Sequence, residues 1–185
     1  MNSWRNKRSV IRRYNLTAQI YDVRYCEEQE SKYRAALEGL SFEAGSVVLD
    51  VGCGSGLFFN EVAGNMGKLV GVDASLKLLL IARERAKNFP YVYIVQADAD
   101  YLPFREDVFS HVFAFTMLQN MPKPVKTLQE LKLVSRSDAH FVVSGLKAVV
   151  SLETFGKLLE EAGLQVVSLR DDEVLRCYIV WAVNR

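Results

Sequence analysis

The sequence predicts an α/β chain built on one doubly wound, largely parallel sheet, and three observations carry that prediction. From residue 46 onward short β-branched runs alternate with amphipathic helical stretches. The runs are near-continuously apolar, as strands buried on both faces are. A glycine-rich turn, Gly52, Gly54 and Gly56, directly follows the first run.

Read in order, the strands are VVLDVG (47–52), KLVGVDA (68–74), YVYIVQA (91–97), SHVFAFTM (110–117) and HFVVSGL (140–146). Between them the 3.6-residue spacing of apolar positions predicts helices over 57–65, 75–88, 122–134 and 152–162. Ser75 reads as an N-cap, Pro122 suits a first helical turn, and Gly163 follows the last helix where a left-handed cap is common. Two strand-like runs, LQVVSLR and VLRCYIVWAV, flank the acidic turn 171–173 and read as an antiparallel hairpin closing the sheet. Residues 1–40 differ: a basic segment and amphipathic helices without strands form an N-terminal extension to the main domain, 41–185.

The 185 residues suit one domain, half of them hydrophobic and 24% charged, which excludes a disordered or fibrous chain. The formal charge of +1 hides an asymmetry, because residues 1–13 carry Arg5, Lys7, Arg8, Arg12 and Arg13 and no acid. No apolar run approaches ~18 residues, and no signal-peptide core follows the basic start, so a soluble cytoplasmic protein is expected. Cys26, Cys53 and Cys177 are odd in number and far apart, so no disulfide framework is indicated, and with only His111 and His140 no metal centre is expected.

A glycine turn behind a first strand lets a ligand approach the backbone and aims the next helix's N-terminus at it. The dinucleotide fingerprint G-x-G-x-x-G/A fails by one position, since Leu57 stands where the third small residue belongs. Asp50, on the strand two residues before the first glycine, would also repel a pyrophosphate. It suits a cationic head instead. Asp73 ends the second strand, where a carboxylate can accept two ribose hydroxyls, and Asp98 ends the third, where it could accept from an exocyclic amine. An ammonium, a ribose and an adenine together describe S-adenosylmethionine.

At this point the chain resembles a known family, the class I S-adenosylmethionine-dependent methyltransferases, over residues 40–185. The matching stretches are VLDVGCGSG, LVGVDAS, QADADYLPFREDVFSHVFAF and TMLQNMPKP, in order. The resemblance implies a Rossmann-like sheet of seven strands in the order 3-2-1-4-5-7-6. It implies that Asp50 and the backbone of Gly52 and Gly54 hold the methionine moiety, Asp73 the ribose, Asp98 and the backbone of Ala99 the adenine, and that Phe115 and Thr116 flank the transferable methyl. Two departures are SRSDAH, where relatives carry a glycine turn before strand five, and His111, where an acid is frequent. Asp100 reads as a turn or helix-capping residue.

The acceptor site is expected at the carboxyl ends of strands four and five, near Gln119 and Asn120; for an exocyclic amine the Asn120 oxygen and nearby carbonyls would accept its protons and orient its lone pair. The alternative is that both cap the following helix. The N/D-P-P-Y/F signature of many amino-methyltransferases is absent. The N-terminal extension is expected to act as a lid, with Tyr21 favoured over Tyr14, Tyr25 and Tyr33 as the residue at the methionine end; Tyr33 reads as packing.

For the acceptor itself, Trp4, Arg5, Arg8, Arg12 and Arg13 join cations to an aromatic ring, a combination that grips phosphates and stacks on bases. Lys123, Lys126, Lys132 and Arg136 would extend that basic face. RNA is therefore the expected partner, most specifically the exocyclic N4 amine of a cytidine in rRNA, as the resemblance to small archaeal methyltransferases suggests. A small-molecule methyltransferase is the alternative, and a non-catalytic cofactor-binding module the third reading.

Overall fold

In the computed structural model, which describes residues 3–62 and 67–185, two helices precede an alternation of strands and helices. The elements are α1 (Ser3–Thr17), α2 (Tyr21–Leu37), β1 (Val47–Val51), β2 (Lys68–Asp73), α3 (Leu76–Ala86), β3 (Val92–Gln96) and β4 (Phe109–Ala114). They continue with α4 (Pro124–Val134), β5 (Ser135–Leu146), α5 (Leu152–Glu161), β6 (Leu164–Arg170) and β7 (Cys177–Asn184). One seven-stranded sheet results, in the order β3-β2-β1-β4-β5-β7-β6. Only β7 runs antiparallel to its neighbours, β5 and β6. The expected order and the closing hairpin are both present.

The apolar runs are split between two cores because alternate strand residues face opposite sides of the sheet. Val48, Phe113 and Val142 join Phe58, Leu79 and Ala82 beneath α2 and α3. Leu49, Val112, Phe141 and Val143 join Leu128 and Leu131 of α4 and Phe155 and Leu159 of α5. Each fully buried side chain of this kind contributes roughly 1.5–3 kcal/mol, so the sheet is a rigid platform for whatever sits at its carboxyl edge.

Three expectations need correction. The helix expected over 57–65 begins as a 3-10 turn, Leu57–Asn60, in which Leu57, Phe58 and Phe59 are all buried. Three consecutive buried side chains do not fit one face of a 3.6-residue helix, so the apolar run overrides the helical pattern; residues 63–66 lie outside the described residues. Helix α4 starts at Pro124 rather than at Pro122, because the residue before a proline is steered away from helical angles, and Lys123 has φ −138° and ψ 75°. Finally, the fifth strand, expected over 140–146, takes in SRSDAH as well. Strand β5 starts at Ser135 directly after α4, and the register with β4 shifts between Phe109↔Ser135 and His111↔His140 while exposed Arg136, Ser137 and Asp138 bulge outward.

Helix α2 is tied to the sheet by Trp181, whose Nε1 donates to Ala36 O at 3.0 Å, and to α3 by Arg85, which reaches Asp22 at 2.7 Å. Ser55 Oγ also donates to Asp22. Among the described residues no helix is long and apolar enough to cross a membrane. The three cysteines are free thiols.

Gly56 is the most demanding of the loop glycines. Its φ is +78°, and a Cβ added there would lie 2.3 Å from the Phe59 ring. Gly56→Ala is expected to destabilise the domain by roughly 2–4 kcal/mol, combining left-handed backbone strain with overpacking, as read by urea denaturation.

Candidate active site

The site is built where β1, β2, β3 and β4 end. Gly52, Gly54 and Gly56 have φ of +75°, +57° and +78°, so the alternating glycines are a run of left-handed positions that residues with a Cβ rarely adopt. Both Gly52 N and Cys53 N donate to Val72 O, at 2.7 and 3.0 Å, which folds the loop onto the end of β2. Asp73 completes the tie: Oδ2 accepts from Gly54 N at 3.0 Å and Oδ1 from Ser75 N at 2.7 Å. Ser75 is the N-cap of α3, accepting from Leu78 N, as expected.

Asp50 lies one layer behind. It is 2% exposed, and its Oδ2 has no hydrogen-bond partner among the described residues. Burial, reinforced by the neighbouring charge of Asp73, pushes its carboxyl up to about 8. Asp73 is also raised by burial, though its backbone hydrogen bonds oppose that. A buried acid with an unused oxygen next to a second acid is a place where positive charge is welcome.

In front of the loop lies a cavity of about 320 Å³, within the range of small-ligand sites. Gly52, Gly54, Asp73, Asp98, Ala99, Phe115 and Thr116 all line it, so seven of the eight expected cofactor residues meet on one surface, with Asp50 behind it. Two positions differ in detail from expectation. Asp98 does not end β3, which stops at Gln96, but sits in a following turn bridged to Tyr101. Phe115 and Thr116 follow β4, which stops at Ala114.

The roof of this cavity is α1. Trp4, Lys7, Ile11 and Tyr14 recur at helical spacing and line it from above. Lys7 is buried, and its Nζ lies 2.6 and 2.7 Å from the two oxygens of Asp98 and 2.5 Å from Asp100 Oδ2. Asp100 is the turn residue expected rather than a helix cap; buried, it joins this ion cluster and accepts from Thr127 Oγ1 at 2.5 Å. Asn15 adds a second anchor, its Oδ1 accepting from Ser75 Oγ at 2.8 Å and Lys77 N at 3.0 Å. The sequence carries a signal for Lys7, a lone cation on the face shared by Trp4, Ile11 and Tyr14, although by charge alone it counts only as one more cation of the basic start.

The outer face of α1 is different. Arg5, Arg8 and Arg12 are exposed there, one helical turn apart. Trp4 is 51% exposed while also lining the cavity. Arg13 is turned toward the site, where its Nη2 donates to Asn120 Oδ1 at 3.0 Å. The basic face does not extend along α4 as expected. Lys126 sits over the exposed Tyr101 ring, its Nζ 3.9 Å from the centroid, but Lys132 is spent on Gly163 O at the opposite end of the helix, and Arg136 belongs to the bulge in β5.

A second cavity, about 490 Å³, adjoins the first across a wall made by Tyr14, Tyr21 and Thr116. Tyr21 packs over Gly54 and against Tyr14 and Tyr25, with ring centroids 6.1 and 5.0 Å apart, and burial holds its hydroxyl protonated. Tyr33 packs between Phe58 and Phe115 as expected. Gln119 and Asn120 lie in a 3-10 turn, Leu118–Asn120, and neither caps α4, whose N-cap is Lys123. Asn120 is committed at both ends of its amide, to Arg13 and to Tyr14. Gln119 lines the second cavity, and its Oε1 is buried without a partner among the described residues.

Comparison with known proteins agrees with this arrangement. A family model described as a methyltransferase domain matches residues 49–143, more than half of the chain. Demethylmenaquinone methyltransferase of Staphylococcus saprophyticus is 29% identical over 111 residues, covering 58% of this chain and 48% of that protein. The Staphylococcus carnosus enzyme of the same name is 32% identical over 111 residues, covering 58% and 46%. The chain thus spans about half the length of these curated relatives. Among solved structures, the fold is shared with a SAM dependent methyltransferase from Aquifex aeolicus, at TM-score 0.74 and 21% identity over 83% of this chain and 89% of that one. It is shared too with a Haloferax volcanii putative methyltransferase solved in complex with the Trm112 methyltransferase activator, at TM-score 0.78 and 18% identity over 92% and 97%. With the family model running from the middle of β1 into β5 across every loop that lines the first cavity, the chain belongs to the methyltransferase domain family.

Proposed function

We propose that this domain transfers a methyl group from S-adenosylmethionine to an amine on a base of RNA, with the cytidine N4 amine of rRNA the most specific candidate. The donor set suits that cofactor. Asp73 has lone pairs left for ribose hydroxyls beyond its two backbone bonds, the unpartnered Asp50 oxygen favours an ammonium nearby, and Ala99 lines the cavity beside Asp98, whose two oxygens already accept from Lys7. Bound there, S-adenosylmethionine supplies a methyl activated by a sulfonium.

The chain's own residues align and exclude. Tyr21 and the α1 roof keep water from the first cavity, and Thr116 marks the boundary with the second. Gln119 Oε1 accepts an N–H from the acceptor amine and turns its lone pair toward the boundary. No strong base would be required, because the amine would attack as the neutral species, displace the thioether S-adenosylhomocysteine and, as the cationic methylated amine, then lose its proton to solvent.

The single observation that carries RNA as the acceptor is the two-sidedness of α1: its inner face roofs the cofactor cavity, and its outer face presents Arg5, Arg8 and Arg12 to solvent. A second reading, a small ring compound, is favoured by the names of the staphylococcal relatives and by the three tyrosines lining the second cavity. Methyl-tritiated S-adenosylmethionine incubated with fractionated RNA, protein and metabolites separates the two. Label is expected in RNA, and an R5A/R8A/R12A variant should lower the salt slope of RNA binding by about 2–3. Label confined to metabolites would establish the second reading instead.

A further inference from the structure

The wall between the two cavities contains a polar arrangement that methyl transfer by itself does not demand. Lys32 on α2 is 1% exposed, and its Nζ lies 3.1 Å from Gln29 Oε1 and 3.2 Å from Thr116 Oγ1. Burial lowers its pKa, while Glu28 at 3.7 Å favours the charged form. An ammonium has three N–H donors and no lone pair, so both short contacts have one direction only: Lys32 donates, and Gln29 Oε1 and Thr116 Oγ1 accept. The amide of Gln29 is thereby fixed, and its Nε2 faces Thr116 Oγ1 at 3.5 Å. With lone pairs of Thr116 Oγ1 directed at α2, its own O–H has no acceptor among the described residues.

Thr116 is held in this state from every side. Its φ is +49°, a left-handed conformation uncommon for a β-branched residue and one that persists only when its surroundings enforce it. Its N donates to Ser144 Oγ at 2.8 Å, and its carbonyl accepts from Gln119 Nε2. That last bond also fixes the Gln119 amide, leaving Oε1 as the unpartnered acceptor. Thr116 and Gln119, which both line the second cavity, thus bring to its wall one donor and one buried acceptor without partners among the described residues.

We propose that Thr116 and Gln119 read the acceptor molecule as a donor and acceptor pair, and that Lys32 and Gln29 are positioning residues that set the polarity of Thr116. The acceptor accordingly presents a lone pair beside an N–H or O–H on one edge, as the Watson–Crick edge of a nucleobase does. This inference rests on the second cavity being the methyl acceptor's site.

The probe is cytidine 5′-monophosphate, added at millimolar concentration to protein saturated with S-adenosylhomocysteine and followed by ligand-observed NMR. The wild type is expected to bind it, and Thr116→Val to bind it at least fivefold more weakly. Lys32→Met should weaken it similarly while leaving the melting temperature unchanged or higher, since a buried ion replaced by an apolar side chain of similar size is often neutral or stabilising; Lys32→Arg should retain most of the binding. Nucleotide binding that is equal in wild type, T116V and K32M overturns the polarity assignment while the methyltransferase reading stands. Failure of the wild type to bind S-adenosylhomocysteine at all removes both.

Discussion

Asp50→Asn is expected to raise the melting temperature of the ligand-free domain near pH 8 while weakening S-adenosylhomocysteine by tenfold or more. The sign follows from linkage. Burial raises the folded carboxyl from 3.8 to about 8, so between those values the folded chain keeps a proton that the unfolded chain releases. Stability attached to this group is present at low pH and is lost as pH rises through that window, reaching roughly 2–4 kcal/mol near its top. Asparagine does not ionise, so the melting temperature of the variant should fall less between pH 5 and pH 8. In the proposed site a ligand ammonium would reward the ionised form, and loss of that reward is what the weakened affinity would read. A parallel fall in both proteins, or unchanged affinity, would mean that Asp50 is only packing.

Lys7→Met should undock α1 without unfolding the sheet. Removing the ammonium leaves Asp98 and Asp100 facing each other with no positive charge between them, and breaking a buried ion pair from one side costs about 3–5 kcal/mol. That cost can be relieved locally, because the other ties of α1 to the body include single side-chain hydrogen bonds, from Asn15 to the start of α3 and from Arg13 and Tyr14 to Asn120. Hydrogen exchange is therefore expected to quicken about a hundredfold across residues 3–17 while β1, β2 and β4 keep their protection. Bound S-adenosylhomocysteine should also dissociate faster, since its roof is released. Protection of α1 equal to wild type would contradict the role assigned to Lys7.

The parts of the molecule that were legible in the sequence are those whose cause is local. Strands announce themselves by apolar runs, Ser75 by its place before a helix, and the glycine loop by three positions where a Cβ is unwelcome. Asp73 was legible for the same reason, since it bonds to the loop and to the turn that follows it. What stayed hidden depends on contacts distant along the chain. Lys7 meets Asp98 across 91 residues and Lys32 meets Thr116 across 84, and neither lysine is distinguishable from a solvated one until the fold surrounds it. The bulge of 136–138 and the 3-10 turn at Leu57 were missed because tertiary burial outweighed local pattern there. The sequence favours the Asn120 oxygen as the acceptor of the amine protons; the structure overturns that preference, since it commits Asn120 to Arg13 and Tyr14 of α1 and leaves Gln119 with the free oxygen.

The central claim, that the cavity beneath α1 holds S-adenosylmethionine with Asp50 behind it and Asp73 on its wall, is tested most directly by calorimetric titration of S-adenosylhomocysteine in two buffers of different ionisation enthalpy. One site per chain is expected, with net proton release below pH 8 and with the release absent in Asp50→Asn. A folded wild-type domain that gives no binding heat in either buffer would contradict the claim.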